Sequence, residues 1–148
     1  MNAPQPRQAP DVTLEPVEQL SDAQVLDLHR MYQSEWWTKD RELDDVRRML
    51  RCTDLIFGFS EPPGGRLVAF ARVLTDYVYK AVVFDVIVDT SHRRAGLGRA
   101  LMDAIMGHPR LARVKHIELY CLPELVPYYK RWGFTTDLGH LRFMRRSL

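Results

Sequence analysis

The residues whose types and spacing point most directly to chemistry are His92-Arg93-Arg94-Ala95-Gly96-Leu97-Gly98-Arg99-Ala100-Leu101, just past the middle of a 148-residue chain. They follow an apolar run, Ala81 to Asp89, and open into a helical pattern, Ala100 to His108. A helix begins with backbone N–H groups that have no partner inside the helix, and its dipole adds partial positive charge there. Gly96 and Gly98 carry no side chains, so a ligand can approach the backbone closely. The N–H groups from about Arg94 to Arg99 then converge on an anion, and Arg93, Arg94 and Arg99 add charge suited to phosphate. A pyrophosphate is the guest that fits this chemistry.

Two familiar pyrophosphate loops fail on residue grounds. An NTPase loop needs Gly-Lys-Ser/Thr, which is missing here. A dinucleotide fingerprint needs a third glycine, and Leu101 stands in that place. What remains is Arg-x-x-Gly-x-Gly, Arg93 to Gly98, after the strand end Val86-Ile87-Val88. Some thirty residues later comes Tyr128-Tyr129-Lys130-Arg131-Trp132-Gly133-Phe134.

Several elements must position these residues. Val12 to Pro16 reads as a short strand. Ser21-Asp22 caps a helix whose Val25, Leu26, Leu28, His29, Met31 and Tyr32 are spaced for one buried face. The tract Ser34 to Thr38 breaks it, and a second helix follows with Leu43, Val46, Met49 and Leu50 inward. Asp54–Ser60, Arg66–Leu74 and Lys80–Asp89 read as strands, with the turn Pro62-Pro63-Gly64-Gly65 between the first two. The helix Leu97–Met106, a strand Lys115–Cys121, a short helix Leu125–Trp132 and late strand material at Phe134 and Leu141–Arg145 complete the order. This is a mixed α/β pattern on a small sheet.

Composition sets wider limits. The 46% apolar and 27% charged content suits a globular chain, and a net charge of +2 does not by itself imply nucleic-acid binding. Cys52 and Cys121 lack metal-ligand spacing, and two distant cysteines argue against a disulfide framework. Apolar runs fall short of the roughly 20 residues of a membrane helix. The expectation is a cytoplasmic protein with no membrane or nucleic-acid partner: a proline-bearing tail over residues 1–10, then a single domain over 11–148.

Taken together, the Arg93–Gly98 loop, the Val86–Val88 strand end and the Tyr129–Phe134 element resemble the GCN5-related N-acetyltransferases. The order of elements is similar from Val12 to the C-terminus. The resemblance implies an acyl-CoA N-acyltransferase fold: a mixed, mostly antiparallel sheet of six to seven strands, flanked by about four helices and splayed at its central strands. It implies acetyl-CoA as co-substrate and no metal. It also implies pyrophosphate contacts from Arg93, Arg94, Ala95, Gly96, Leu97, Gly98 and Arg99. The pantetheine arm would lie along Val86, Ile87 and Val88, with Tyr129 as the acid for the departing thiolate. A homodimer through an exposed edge or late-strand exchange is a further implication. The chain departs from the family pattern at Arg94, where many members have Gly. It departs again at Cys121–Glu124, where many place an Asn.

Amine attack on a thioester needs a deprotonated amine, an aimed lone pair and a stabilised carbonyl oxygen. Asp85 interrupts an apolar strand beside the expected thioester and is the base candidate; a structural carboxylate bonded to Arg72 or to a backbone group is the alternative. Asp76 sits in a turn, which favours Asp on its own account. Tyr128 and Tyr129 diverge on a helix, one toward the core and one toward the cofactor, and the motif register selects Tyr129. Tyr32, Trp36, Trp37, Arg72 and Asp76 are the candidate acceptor residues, with a small amine as acceptor and aromatic walls suited to cation–π contact. His29, His108 and His116 have no metal-ligand spacing. Two other function classes remain open: an acyl-CoA-binding module without turnover, and a nucleotide-binding protein with a generic glycine loop. A protein or peptide amine is the alternative acceptor.

Overall fold

The computed structural model describes residues 13–93 and 95–148. The tail over residues 1–10, Val12 at the start of the first expected strand, and Arg94 lie outside the described residues. The elements are β1 (Glu15–Val17), α1 (Asp22–Gln33), α2 (Leu43–Arg51), β2 (Leu55–Ser60), β3 (Leu67–Thr75), β4 (Lys80–Val88), α3 (Leu97–Met106), β5 (His116–Glu118) and α4 (Val126–Tyr129). Strands β1 to β5 lie side by side in sequence order. The first three pairings are antiparallel. β4 and β5 run parallel, because the chain between them crosses over through α3 rather than a tight turn.

Each helix is fixed by its pattern and its cap. Ser21 Oγ accepts from the Gln24 N–H at 3.2 Å while Gln24 Oε1 accepts from the Ser21 N–H at 3.1 Å, a reciprocal cap that sets the start of α1. The buried face of α1 (Val25, Leu28, Met31, Tyr32) and Val46 of α2 pack with Leu67, Phe70 and Ile87 on one side of the sheet. On the other side, Leu97, Leu101, Met102 and Ile105 of α3 pack with Val68, Ala69, Ala71, Val73, Ala81 and Val83. Two apolar layers thus clamp β3 and β4 from opposite sides.

Two irregularities in β4 matter for the site. The register runs Phe70 with Ile87 but Arg72 with Phe84, so Asp85 and Val86 both stand against Ala71. This is a β-bulge, with Asp85 in the left-handed region at φ 57°. The β4–β5 pairing covers only Lys80–Val82 against His116–Glu118. From Val83 to Val88 that edge of β4 has no strand partner among the described residues, and the two strands part there.

Among the described residues the sheet has five strands, fewer than the six to seven expected. Phe134 and Leu141–Arg145 form no strand, and Leu141, Phe143 and Met144 are exposed. Gly139 turns the chain at φ 63°. Arg142 then donates back to the Gly139 and Leu141 carbonyls at 3.2 and 2.8 Å, a local arrangement that replaces a ladder. β5 is shorter than the Lys115–Cys121 run. The helix expected over Leu125–Trp132 is α-helical only at Val126–Tyr129, with 3₁₀ turns on either side. No helix among the described residues is long and apolar enough to cross a membrane.

Leu101 is fully buried between α3 and the sheet. Leu101→Ala is expected to lower stability by about 2–5 kcal/mol, read as a lower urea midpoint with an unchanged m-value.

Candidate active site

The glycine loop and the first turn of α3 line an open pocket of about 400 Å³. Val88, His92, Arg93, Gly96, Leu97, Gly98, Arg99, Tyr128 and Arg131 surround it. Gly96 is the N-cap of α3 at φ 74°, a left-handed conformation that costs glycine nothing. With no side chain it cannot cap the helix, so the first N–H groups of α3 stay available. A Cβ on Gly98 would lie 3.0 Å from the Tyr128 hydroxyl oxygen, so glycine there makes room for that phenol over the helix start. Three guanidinium groups around exposed helix N–H groups form an anion site with both dipole and charge in its favour.

Most of the expected loop residues meet here, with Ala95 beside the pocket lining and Arg94 outside the described residues. Arg93 is ion-paired with Glu35, on the segment between α1 and α2, so an incoming phosphate competes with that carboxylate. Arg131 was not assigned to the phosphates by the motif, yet it lines the pocket and lies 5.4 Å above the Tyr128 ring. Val86 and Val88 pack toward the α3 side of the sheet, while Ile87 is buried toward α1 and α2.

The two tyrosines divide differently from the expectation. Tyr128, assigned to the core, lines the pocket at the start of α3. Tyr129, assigned to the cofactor, packs on the α3-side core against Trp132 and Phe134. The turn of α4 decides this, because Gly98 opens space for only the first of the pair. Burial, helped by Tyr128 and the neighbouring Cys121, pushes the Tyr129 phenol up to about 12.

Asp85 is committed to three donors. Arg41 Nη1 and Nη2 reach its two oxygens at 2.7 and 3.1 Å, Arg72 Nε reaches Oδ2 at 2.7 Å, and the Tyr32 hydroxyl donates to Oδ2 at 2.9 Å. Burial opposes its charge, but the hydrogen bonds from Arg41 and Arg72 and their charges outweigh that and hold the carboxyl below its ordinary range. Tyr32 is fully buried and does not wall an acceptor pocket. Burial and the Asp85 carboxylate push its phenol far above the ordinary value, and Arg41 stacks 4.7 Å over its ring. Arg41 itself carried no motif signal; the only hint in the sequence was a strand Asp in need of cations.

The remaining acceptor candidates scatter. Trp36 and Trp37 are exposed, at 69% and 40%, on the segment that also carries Glu35 and Arg41. Asp76 accepts from the Val78, Tyr79 and Lys80 N–H groups, which hold its carboxyl below the ordinary range. It caps the β3–β4 turn at the end of β4 opposite the glycine loop, roughly 25 Å away along an extended strand. Asp76 is a turn residue and takes no part in this site. Arg72 sits beside the bulge, with its guanidinium 4.6 Å above Phe84.

This geometry agrees with the comparisons. The acetyltransferase (GNAT) family matches residues 22–134, and the chain belongs to that family. It is 37% identical over 106 residues to serotonin N-acetyltransferase 2, chloroplastic, of Oryza sativa subsp. japonica, covering 70% of this chain and 53% of that protein. It is 32% identical over 104 residues to GCN5-related N-acetyltransferase 1, chloroplastic, of Arabidopsis thaliana, with the same coverages. The chain therefore spans about half the length of these curated relatives. A crystal structure of a GNAT-family protein from Xanthomonas campestris pv. campestris superposes with a TM-score of 0.76 at 34% identity, covering 90% of this chain and 94% of that one.

Asp85→Asn leaves two guanidinium groups without their carboxylate and is expected to cost about 3–5 kcal/mol. The folded Asp85 titrates below its unfolded value, so its stabilisation is complete above about pH 4 and is lost as pH falls through the folded value. Urea denaturation from pH 7 to pH 2 is expected to show that acid-side loss in the wild type and a shallower one in the variant.

Proposed function

We propose that this chain is an acetyl-CoA-dependent N-acetyltransferase acting on a primary amine of a small molecule, by direct attack in a ternary complex. The observation that carries the reading is the juxtaposition of two features: the arginine-lined start of α3, and the unpaired edge of β4 that runs into it from the bulge. A diphosphate fits the first, and a chain of amides fits the second as an added strand. Acetyl-CoA supplies both groups and the activated thioester. The rice relative is named for serotonin, a small amine, which favours that acceptor class.

Each residue then has a task. The first N–H groups of α3, with Arg93, Arg99 and Arg131, hold the diphosphate, and the Tyr128 hydroxyl donates from above. The free edge of β4 at Val86–Val88 aligns the pantetheine arm and offers an N–H to the thioester carbonyl oxygen. Tyr129 keeps its proton throughout the neutral range and gives it to the departing sulfur. Asp85 anchors Arg41 and Arg72, with its oxygens already occupied, so the amine's proton leaves to water in the cleft.

Thiol release with a panel of amines tests the reading. Tyr129→Phe is expected to lower kcat by about 10²-fold with the KM for acetyl-CoA unchanged. A wild-type kcat in that variant removes Tyr129 from the mechanism, and no thiol release with any amine reduces the chain to a binding module.

A further inference from the structure

The cluster around Asp85 holds more positive charge than negative. Arg41 and Arg72 bring two guanidinium groups to one carboxylate, and the neutral Tyr32 phenol adds none. Arg41 uses both terminal nitrogens on Asp85. Arg72 uses only Nε. Its two terminal nitrogens have no hydrogen-bond partner among the described residues, and no other carboxylate there is ion-paired with it. The Arg72 side chain is only 11% exposed, yet no fully buried side-chain nitrogen or oxygen lacks a partner. The terminal nitrogens therefore reach open space through a narrow aperture.

That aperture has a defined setting. Phe84 lies flat beneath the guanidinium and meets Tyr120 edge-on at 6.2 Å between ring centroids. Tyr120 is 55% exposed, with Phe143 stacked on it at 5.3 Å and Arg145 5.4 Å over its ring. Phe84 directly precedes the bulge, where the β4 edge comes free and where the reading above puts the thioester. An ammonium ion arriving alone meets an excess of positive charge. A carboxylate meets a planar pair of donors whose rotation is already restricted by Asp85 on one side and Phe84 below, the geometry that favours two parallel hydrogen bonds.

We propose that Arg72 reads a carboxylate on the acceptor, so that the acceptor is an amine that also bears a carboxylate, an amino acid or a molecule of that type. This rests on the acetyl-transfer reading and narrows its acceptor class. Arg72 is a specificity residue in this account: its terminal nitrogens bind the acceptor's carboxylate while the amine faces the β4 edge. Phe84 and Tyr120 form the apolar wall beside it.

The test is a thiol-release panel of amino acids, each paired with its decarboxylated and its amidated counterpart. The preferred amino acid is expected to exceed both counterparts in kcat/KM by at least about tenfold, the scale of one charge-assisted hydrogen-bond pair. Arg72→Gln is expected to bring that ratio near one, and Arg72→Lys to keep part of it. The ratio is taken within one preparation, so a variant that folds in low yield still reports. A wild-type preference for the amines without a carboxylate, or a ratio that survives Arg72→Gln, overturns the inference and leaves the N-acetyltransferase reading standing. No thiol release from any member of the panel, while acetyl-CoA still stabilises the fold, overturns both.

Discussion

The site depends on one buried carboxylate. Asp85 ties together the end of α1 through Tyr32, the α1–α2 segment through Arg41, and β3 through Arg72. It does so from a left-handed backbone conformation that costs a non-glycine residue on the order of 1 kcal/mol, an amount the charged hydrogen bonds offset. The conformation and the bonds are linked. The bulge turns Asp85 toward the cations, and the cations hold the bulge in place. The same bulge increases the twist of β4 as the strand parts from β5, leaving the free edge that the chemistry needs.

A second coupling joins the two halves of the cleft. Glu35 and Arg41 lie six residues apart on the segment after α1, one paired with Arg93 of the glycine loop and the other with Asp85 of β4. The segment carrying Trp36 and Trp37 is thus pinned at both ends by charges belonging to the opposite wall. The first pin, Arg93 with Glu35, lies at the surface. The second, shielded by burial, holds the wall in register with the strand.

The sequence made some of this legible and hid the rest for physical reasons. Helix α3 was readable to the residue, because Gly96 before it, Gly107 after it and the Leu97, Leu101, Ile105 face all agree. Helix α1 was equally plain from its cap. Late strand material was expected at Phe134 and Leu141–Arg145, but apolar residues in a segment state only that it suits a sheet, not that an edge receives it. Arg41 was invisible, since a loop arginine 44 residues before its partner has no periodicity to mark it. Tyr128, not only Tyr129, reaches the pocket because adjacent helical residues diverge and Gly98 leaves space above the start of α3 for the Tyr128 phenol. Tyr32 sat on the correct helix face, but its hydroxyl serves Asp85 rather than a ligand.

Thermal unfolding with acetyl-CoA, CoA, ATP or NAD present tests the central claim most directly, that the start of α3 holds the CoA diphosphate while the β4 edge holds its arm. At roughly a hundredfold excess over Kd, acetyl-CoA and CoA are expected to raise Tm by about 5–10 °C. ATP and NAD, which lack pantetheine, should give little, and Arg93→Glu combined with Arg99→Glu should abolish the shift. An equal rise with ATP and NAD, or none with either CoA species, would contradict the account.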